Sequence, residues 1–202
     1  MRKTDLFALA LFLVAPPAPA ADRASVDSEA PLFTLKDAQG ASHSLADYKG
    51  KYVILEWVNF GCPFVGKHYG SGSMQELQRT MTARGTAWLS ICSSAPGKQG
   101  FYDGEGLKEK LKAENASPTA YLVDADGTVG KLYGAKTTPH MFIINPQGVL
   151  IYEGGIDNIA STDRDDIAKA TNYVKEVMAA AWDGKPLPFK TTRSYGCSVK
   201  YK

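Results

Sequence analysis

One apolar segment, Tyr52–Val58, constrains the fold more than any other part of this sequence, because nearly every residue in it is hydrophobic. Strands buried on both faces have this composition, and they occur in sheets that carry helices on each side. A helical pattern follows from about Pro63, with Met74, Leu77 and Met81 on one stripe. A buried strand that leads directly into a helix indicates an α/β fold.

Further strands and helices alternate along the rest of the chain. We predict an N-terminal hairpin over Pro31–Leu45, a second apolar strand over Thr86–Cys92, and a helix and a strand within Ser93–Val123. A closing hairpin over Met141–Tyr152 leads to one long helix over Thr162–Trp182. This order predicts a three-layer α/β sandwich with a mixed central sheet.

The N-terminus has the composition of a secretory signal peptide. Arg2 and Lys3 precede the apolar run Leu6–Val14, and Ala18-Pro19-Ala20 offers small residues at the spacing that signal peptidase recognises. The run is shorter than the ~20 residues that a membrane-spanning helix needs, which disfavours the alternative of an uncleaved anchor. We therefore expect a periplasmic or secreted protein with no membrane span after processing. Its parts would be a signal peptide (1–21), a domain (25–183) and a C-terminal tail (184–202).

Charge and histidine spacing restrict the partners and cofactors. The formal net charge is +2 over 202 residues, and acids and bases are interspersed, so nothing indicates nucleic acid or an anionic membrane surface as a partner. The three histidines are scattered without zinc-ligand spacing. The Asp124-Ala125-Asp126-Gly127 segment suits a turn better than a calcium loop. We expect neither a metal nor a cofactor.

Three cysteines remain after the predicted cleavage, Cys62, Cys92 and Cys197. An exported protein meets an oxidising environment, and an odd number leaves at least one thiol free or paired outside the chain. Cys92 ends a buried strand and is expected to pack in the core, with a position near Cys62 as the alternative. Cys197 lies in a polar tail which, if mobile, would reach an oxidised Cys62 and resolve it. The alternatives for Cys197 are a bridge across a dimer and an idle thiol.

Cys62 follows the buried strand and precedes a helix, in the segment Asn59-Phe60-Gly61-Cys62-Pro63. This junction lies at the carboxyl edge of the sheet, where the free N–H groups and the dipole of the helix favour a thiolate. Pro63 suits the first helical turn because its missing N–H would be unpaired there. We therefore expect Cys62 to be exposed, with a pKa below the ordinary value of about 8.5. The alternative is a buried structural cysteine.

These residues resemble the thioredoxin superfamily. Val53–Val65 is similar to its active-site strand and turn, and Thr137-Thr138-Pro139 is similar to its cis-proline loop. The extra helix and strand between Cys62 and Pro139 resemble the redoxin branch, which includes the alkyl hydroperoxide reductase/thiol-specific antioxidant proteins. The segments Cys62–Tyr69 and Tyr195–Tyr201 are more narrowly similar to a group of bacterial peroxiredoxin-like proteins.

The resemblance implies roles for residues around Cys62. A cis Thr138–Pro139 bond would lie beside the reactive sulfur, with the backbone of Thr138 available to a bound peptide and His140 lining the pocket. Glu56 would be a buried acid that transfers protons, since burial raises the pKa of a carboxyl group. The alternative for Glu56 is a hydrated edge or a pair with a lysine.

Two departures from the family patterns affect the reaction. Val65 stands where thioredoxins carry their second cysteine, so Cys62 has no partner within the motif. Asn59 and Leu55 stand where peroxiredoxins carry threonine or serine and proline. Asn59 would hydrogen-bond a peroxide in place of the hydroxyl group.

The leading hypothesis is a thiol oxidoreductase in which Cys62 attacks a protein disulfide or a peroxide. Glu56 would assist proton transfer, and Cys197 or an external thiol reductant would resolve the product. Lys67 and His68 follow on the helix and would either flank the site or face solvent. The competing hypothesis is a thioredoxin-fold module that binds peptides or a metal without turnover.

Overall fold

The computed structural model describes residues 23–202, so the predicted signal peptide lies outside the described residues. Within 23–202, no helix has the length and apolar character needed to cross a membrane. The strands are β1 (Thr34–Asp37), β2 (Ser42–Ser44), β3 (Val53–Trp57), β4 (Ala87–Cys92), β5 (Ala120–Val123), β6 (Thr137–Thr138), β7 (His140–Ile144), β8 (Leu150–Gly154) and β9 (Cys197–Ser198). The α-helices are α1 (Pro63–Gly70), α2 (Ser73–Ala83), α3 (Gly104–Ala113), α4 (Thr128–Tyr133) and α5 (Tyr173–Trp182).

Seven strands form one mixed sheet in the order β2-β1-β5-β4-β3-β7-β8. The central strands β3, β4 and β5 are parallel, whereas β1, β7 and β8 pair antiparallel with their neighbours. The short strands β6 and β9 pair antiparallel with each other outside this sheet. The predicted α/β sandwich with a mixed sheet, an N-terminal hairpin and an inserted helix and strand is confirmed.

Strand β3 is buried throughout and divides two apolar layers. Val53, Leu55 and Trp57 pack into one layer, while Ile54 belongs to the other, together with Cys62. Because side chains alternate along a strand, Glu56 points into the layer that contains Cys62. The polar side chain of β3 and the sulfur therefore lie on the same side of the sheet.

The predicted single helix over Thr162–Trp182 is wrong. A 3₁₀ helix over Arg164–Lys169 is followed by an extended residue, Ala170, and the α-helix begins only at Tyr173. The Thr171 N–H donates to Asn158 Oδ1 (2.8 Å), and Asn172 caps α5 through the N–H of Lys175 (3.0 Å). These side-chain acceptors replace the helical carbonyl groups and so interrupt the helix.

Candidate active site at the β3–α1 junction

Cys62 is the N-cap residue of α1, as the Gly-Cys-Pro pattern predicts. Its backbone is extended (φ −87°, ψ 124°), and its carbonyl group accepts the N–H of Gly66 at 2.9 Å. The sulfur donates to the carbonyl oxygen of Thr138 at 3.1 Å. Strand β3 and helix α1 thus hold the sulfur against the loop that precedes Pro139.

The prediction that Cys62 is exposed is wrong, because only 1% of this residue is accessible. The C-terminal segment covers it. Strand β9 pairs with β6 so that Cys197 lies opposite Thr138, whose carbonyl oxygen accepts the Cys62 thiol. On another side, Gln99 reaches over the loop and donates to the carbonyl oxygen of Gly61 at 3.0 Å.

The cover of Cys62 carries the second thiol of the site. Cys197 is half-buried, and its thiol lies close enough to the sulfur of Cys62 for each group to shift the pKa of the other. At Gly196, φ is +124°, and a Cβ atom would overlap the carbonyl oxygen of Thr138. Glycine is therefore required for the tail to approach this strand so closely. The fold unites two cysteines that are far apart in sequence.

The two thiols differ in acidity. Burial raises the pKa of Cys62, but hydrogen bonds from the Cys197 thiol, from Thr138 and from the backbone N–H groups of Cys197 and Val65 outweigh it, so the pKa is lowered. Burial, followed by the hydrogen bond and the charge of Cys62, raises the pKa of Cys197 to about 11. Cys62 is therefore the more acidic of the two thiols and the one that ionises first.

The peptide bond between Thr138 and Pro139 is cis, which confirms the resemblance-based expectation. The backbone of Thr138, expected to pair with a bound peptide, pairs here with Cys197 of the same chain. The tail is further fixed by the N–H of Val199 to Lys136 O (3.1 Å) and by the hydroxyl of Tyr201 to Ala135 O (2.8 Å). An extended segment of the protein itself thus occupies the edge of β6.

Glu56 is fully buried and has no lysine partner among residues 23–202. Burial raises the pKa of its carboxyl group. The hydrogen bonds that the carboxyl group accepts lower the pKa by less, so the pKa is raised overall. Neither thiol is among its partners. The donors are Ser90 Oγ (2.7 Å), Trp88 Nε1 (2.9 Å), Gln78 Nε2 (3.2 Å) and Tyr69 Oη (3.2 Å).

Asn59 and His140 are both buried beside this region. Asn59 Oδ1 accepts the N–H of Gly61 (2.8 Å) and Nδ2 donates to Gln99 O (3.1 Å), so its amide group holds two loops together. The His140 ring packs on Phe142 with 4.5 Å between centroids. It also lines a cavity of about 400 Å³ next to Thr137. Neither Cys62 nor Pro139 lines this cavity, so a place for His140 in a pocket beside Cys62 stays a prediction. The amide of Asn59 holds the loops.

Cys92 is buried in the core, as expected, and its sulfur donates to the carbonyl oxygen of Gly100 at 3.3 Å. The rings of Phe60 and Tyr121 stack nearby, 5.6 Å apart. Within 23–202 the three cysteines are all free thiols, and no group of three histidine, cysteine or acidic side chains is placed to hold a metal ion.

Helix α1 and the C-terminal tail share a buried polar cluster that the sequence did not predict. Lys67 and His68 do not face solvent; they contact Asp157 and Tyr195, and all four residues are at least nine-tenths buried. Tyr195 Oη donates to Asp157 Oδ1 at 2.6 Å, and Lys67 Nζ lies 3.5 Å from Asp157 Oδ2. The only sequence signal was the unusual Lys-His pair on a helix that must be buried behind Cys62. We call this group the α1–tail cluster.

Solved structures resemble this fold over most of its length. An uncharacterized conserved protein from Geobacillus kaustophilus matches with a TM-score of 0.75, 23% identity, and coverage of 94% of this chain and 98% of that one. A hypothetical protein from Sinorhizobium meliloti matches with a TM-score of 0.72, 23% identity, and coverage of 90% and 97%. The thioredoxin domain of a thiol-disulfide oxidoreductase from Bacteroides vulgatus matches with a TM-score of 0.52, 20% identity, and coverage of 72% of this chain and 96% of that one.

No curated protein matches the sequence. The structural likenesses, all below 25% identity, establish a thioredoxin-like fold. The model of the AhpC/TSA family matches residues 26–153, which include Cys62, Glu56 and the Thr138–Pro139 bond. This match covers more than half of the chain, and the chain therefore belongs to the AhpC/TSA family.

Proposed function

We propose that the protein is an exported thiol-disulfide oxidoreductase in which Cys62 is the nucleophile and Cys197 the resolving cysteine. The observation that carries this proposal is the meeting of the two cysteines at the N-terminus of α1, where Cys197 pairs with Thr138 and the carbonyl oxygen of Thr138 accepts the Cys62 thiol. Family membership supports redox chemistry in general. The geometry supports this particular pair, because two neighbouring thiols of different acidity can form a disulfide by attack of one on a mixed disulfide of the other.

The reaction proceeds in two exchanges. The Cys62 thiolate attacks one sulfur of a substrate disulfide, which forms a mixed disulfide on Cys62 and releases the first substrate thiolate. Cys197 then loses its proton and attacks the Cys62 sulfur, which forms the Cys62–Cys197 disulfide and releases the second substrate thiolate. The substrate gains two electrons and the dithiol loses two. An external thiol reverses the process by the same two steps and regenerates the dithiol.

The acidity difference between the thiols suits this order of events. In the resting dithiol, the negative charge on Cys62 contributes to the raised pKa of Cys197. Once Cys62 is part of a mixed disulfide, that charge is gone and Cys197 ionises more readily. Cys197 therefore becomes a better nucleophile only after the mixed disulfide has formed on Cys62.

Glu56 is the proton-transfer residue of the proposal. Its raised pKa suits exchange near neutral pH, but its hydrogen-bond partners include neither thiol, so a proton would pass through a bridging water. The pH profile of Cys62 reactivity tests this role. We expect the Glu56→Gln variant to lose one ionisation from that profile, and an unchanged profile would restrict Glu56 to a structural role.

A disulfide substrate is favoured over a peroxide. In this chain both functional groups of the Asn59 amide already bond to Gly61 and Gln99. The orientation of the Asn59 amide is thus fixed by the two loops, which leaves at most one of its two Nδ2 hydrogens for a peroxide. Stopped-flow mixing of the reduced protein with hydrogen peroxide tests this point: we expect oxidation no faster than that of free cysteine, and a much faster reaction would establish the peroxidase instead.

Single-turnover reduction of an aromatic disulfide such as DTNB tests the cysteine roles. The wild-type dithiol is expected to release two thiolates per protein and to end as a Cys62–Cys197 disulfide by mass spectrometry. Cys197→Ser is expected to release one and to retain a mixed disulfide on Cys62. The matched control, Cys92→Ser, is expected to behave as the wild type. A Cys62→Ser variant that still releases two thiolates at the wild-type rate would overturn the proposal.

A binding module without turnover is the second candidate, and the burial of Cys62 favours it. In that case the edge of β6 would bind an extended peptide once the tail leaves, and the thiols would be dispensable. Equal peptide binding by the wild type and by Cys62→Ser, together with no turnover of any disulfide, would establish this function. Loss of peptide capture in Cys62→Ser would support the oxidoreductase.

Export is tested by fractionation and by sequencing the N-terminus of the processed protein. We expect a periplasmic or secreted protein that starts near Ala21. Recovery of the intact N-terminus from the membrane fraction would contradict cleavage and would favour the anchor.

A further inference from the structure

The α1–tail cluster joins the two segments that carry the reactive thiols. Lys67 and His68 lie on α1, which begins directly after Cys62, and Tyr195 precedes Cys197 by two residues. Asp157 lies in the loop after β8 and contacts both sides. The cluster therefore connects the helix of one thiol to the strand of the other through side chains alone.

The hydrogen bonds of the cluster have a defined direction. Tyr195 has one hydroxyl proton, which it donates to Asp157 Oδ1 at 2.6 Å. His68 Nε2 lies 3.2 Å from the same hydroxyl oxygen and is therefore the donor in that contact. Lys67 Nζ donates to Ile159 O at 2.9 Å and faces Asp157 Oδ2 at 3.5 Å. The Tyr195 hydroxyl is thus the one tail group that bonds to this buried charge pair.

Loss of this contact would free the segment that covers Cys62. Tyr195 also packs its ring against Phe64 in the first turn of α1, with 5.9 Å between centroids. The Cys62 sulfur is inaccessible while this segment is in place. A substrate that approaches from the edge of β6 therefore reaches Cys62 only when residues 195–197 move away from α1.

We propose that Tyr195, held by Asp157, His68 and Lys67, is the positioning residue that seats Cys197 on Cys62 and controls how often Cys62 is uncovered. This inference rests on the proposed function of the Cys62–Cys197 pair. A hydrogen bond to a charged, buried partner is among the stronger side-chain contacts in proteins. The Tyr195 hydroxyl is therefore the contact whose removal is expected to open the site.

Alkylation of the reduced protein by iodoacetamide, followed by mass spectrometry of each cysteine peptide, measures this opening. Tyr195→Phe removes the hydroxyl and keeps the ring. We expect Cys62 to be alkylated about tenfold faster in this variant, since the open form becomes more populated by the contribution of one charge-assisted hydrogen bond. Cys92, which is buried elsewhere, serves as the internal reference and is expected to keep its wild-type rate.

Tyr201→Phe is the matched control, because it also removes one tail hydroxyl, bonded to Ala135 O. We expect it to change the Cys62 rate by less than about threefold, as a hydrogen bond to a neutral carbonyl group contributes less. His68→Gln is a second test of the cluster and is expected to accelerate Cys62 in the same direction as Tyr195→Phe. Equal acceleration of Cys62 and Cys92, or of Cys62 in both tyrosine variants, would indicate general loosening and overturn the proposal, as would no acceleration in Tyr195→Phe.

The alkylation experiment gives its answer whether or not the Cys62–Cys197 pair is catalytic. If wild-type protein forms no Cys62–Cys197 disulfide with oxidised glutathione, the proposed function fails, while the alkylation rates still report on the seating of the tail. If the disulfide forms and Tyr195→Phe leaves Cys62 covered, the positioning role fails and the function stands.

Discussion

Oxidation of the Cys62–Cys197 pair should stabilise the folded protein by an amount that follows from its position in the chain. The bond would close a loop of 136 residues, counted from Cys62 to Cys197. The chain-entropy relation gives about 5 kcal/mol for a loop of that length. The lowered pKa of Cys62 stabilises the reduced folded state and subtracts from this value. We therefore expect a gain in the free energy of unfolding of about 2 to 4 kcal/mol.

Urea denaturation of the oxidised and reduced forms measures this gain. With an m-value of about 2 kcal/mol/M for a domain of this size, the midpoint should rise by about 1 to 2 M. Cys92→Ser should retain the shift, whereas Cys197→Ser should lose it. A wild-type midpoint that does not change on oxidation would refute the pairing, and a shift that persists in Cys197→Ser would assign it to another bond.

Three further predictions concern the surroundings of the thiols. Burial lowers the pKa of His68 and of His140 to about 4, against an ordinary value of 6.5, so both gain protons on unfolding below pH 6.5. The contribution of the two neutral histidines to the free energy of unfolding is therefore fully present above pH 6.5 and is lost as the pH falls toward 4, by about 3 kcal/mol per histidine. Urea titrations across this pH range should show a smaller loss in His68→Gln than in the wild type. Glu56→Gln places an NH₂ group among four hydrogen-bond donors, so it should reduce the free energy of unfolding, measured by urea titration, by about 2 kcal/mol. Glu114→Gln, at a half-buried site, is the control and should change the free energy of unfolding by less than about 0.5 kcal/mol. Gly196→Ala should prevent formation of the Cys62–Cys197 disulfide under oxidised glutathione, while Gly66→Ala, where a Cβ atom meets open space, should not; equal yields from both variants would contradict the close approach of the tail.

The local patterns predicted most of the fold because they depend on neighbouring residues. The run Tyr52–Val58 and the Gly-Cys-Pro step identify a buried strand and a helix start, and both are where the sequence places them. The interrupted helix after Thr162 was missed because its apolar spacing continues through a break that is made by the distant side chain of Asn158. Helix α4 was missed for a similar reason, since Asp124 accepts the N–H groups of Val129 and Gly130 in a segment rich in glycine.

The place of the candidate site in the fold was predictable, but its exposure was not. The sequence identified Cys62 from the chemistry of a helix N-terminus, yet the residues that cover it come from the other end of the chain. Cys197 was a candidate partner on chemical grounds, whereas its seat depends on the pairing of β9 with β6. Asp157 and Tyr195 carried no recognisable motif, because a buried charge cluster is defined by contacts between distant segments.

The pairing of β9 with β6 also determines when the site comes into existence. A polypeptide is synthesised from its N-terminus, so all seven strands of the main sheet are available before residues 197–202 emerge. During that interval Cys62 has neither its cover nor its partner. A chain that ends prematurely after Ser194 would retain every strand of that sheet and present a bare thiol at its edge. Emergence of Cys197, rather than closure of the main sheet, is therefore the event that brings the second thiol to Cys62.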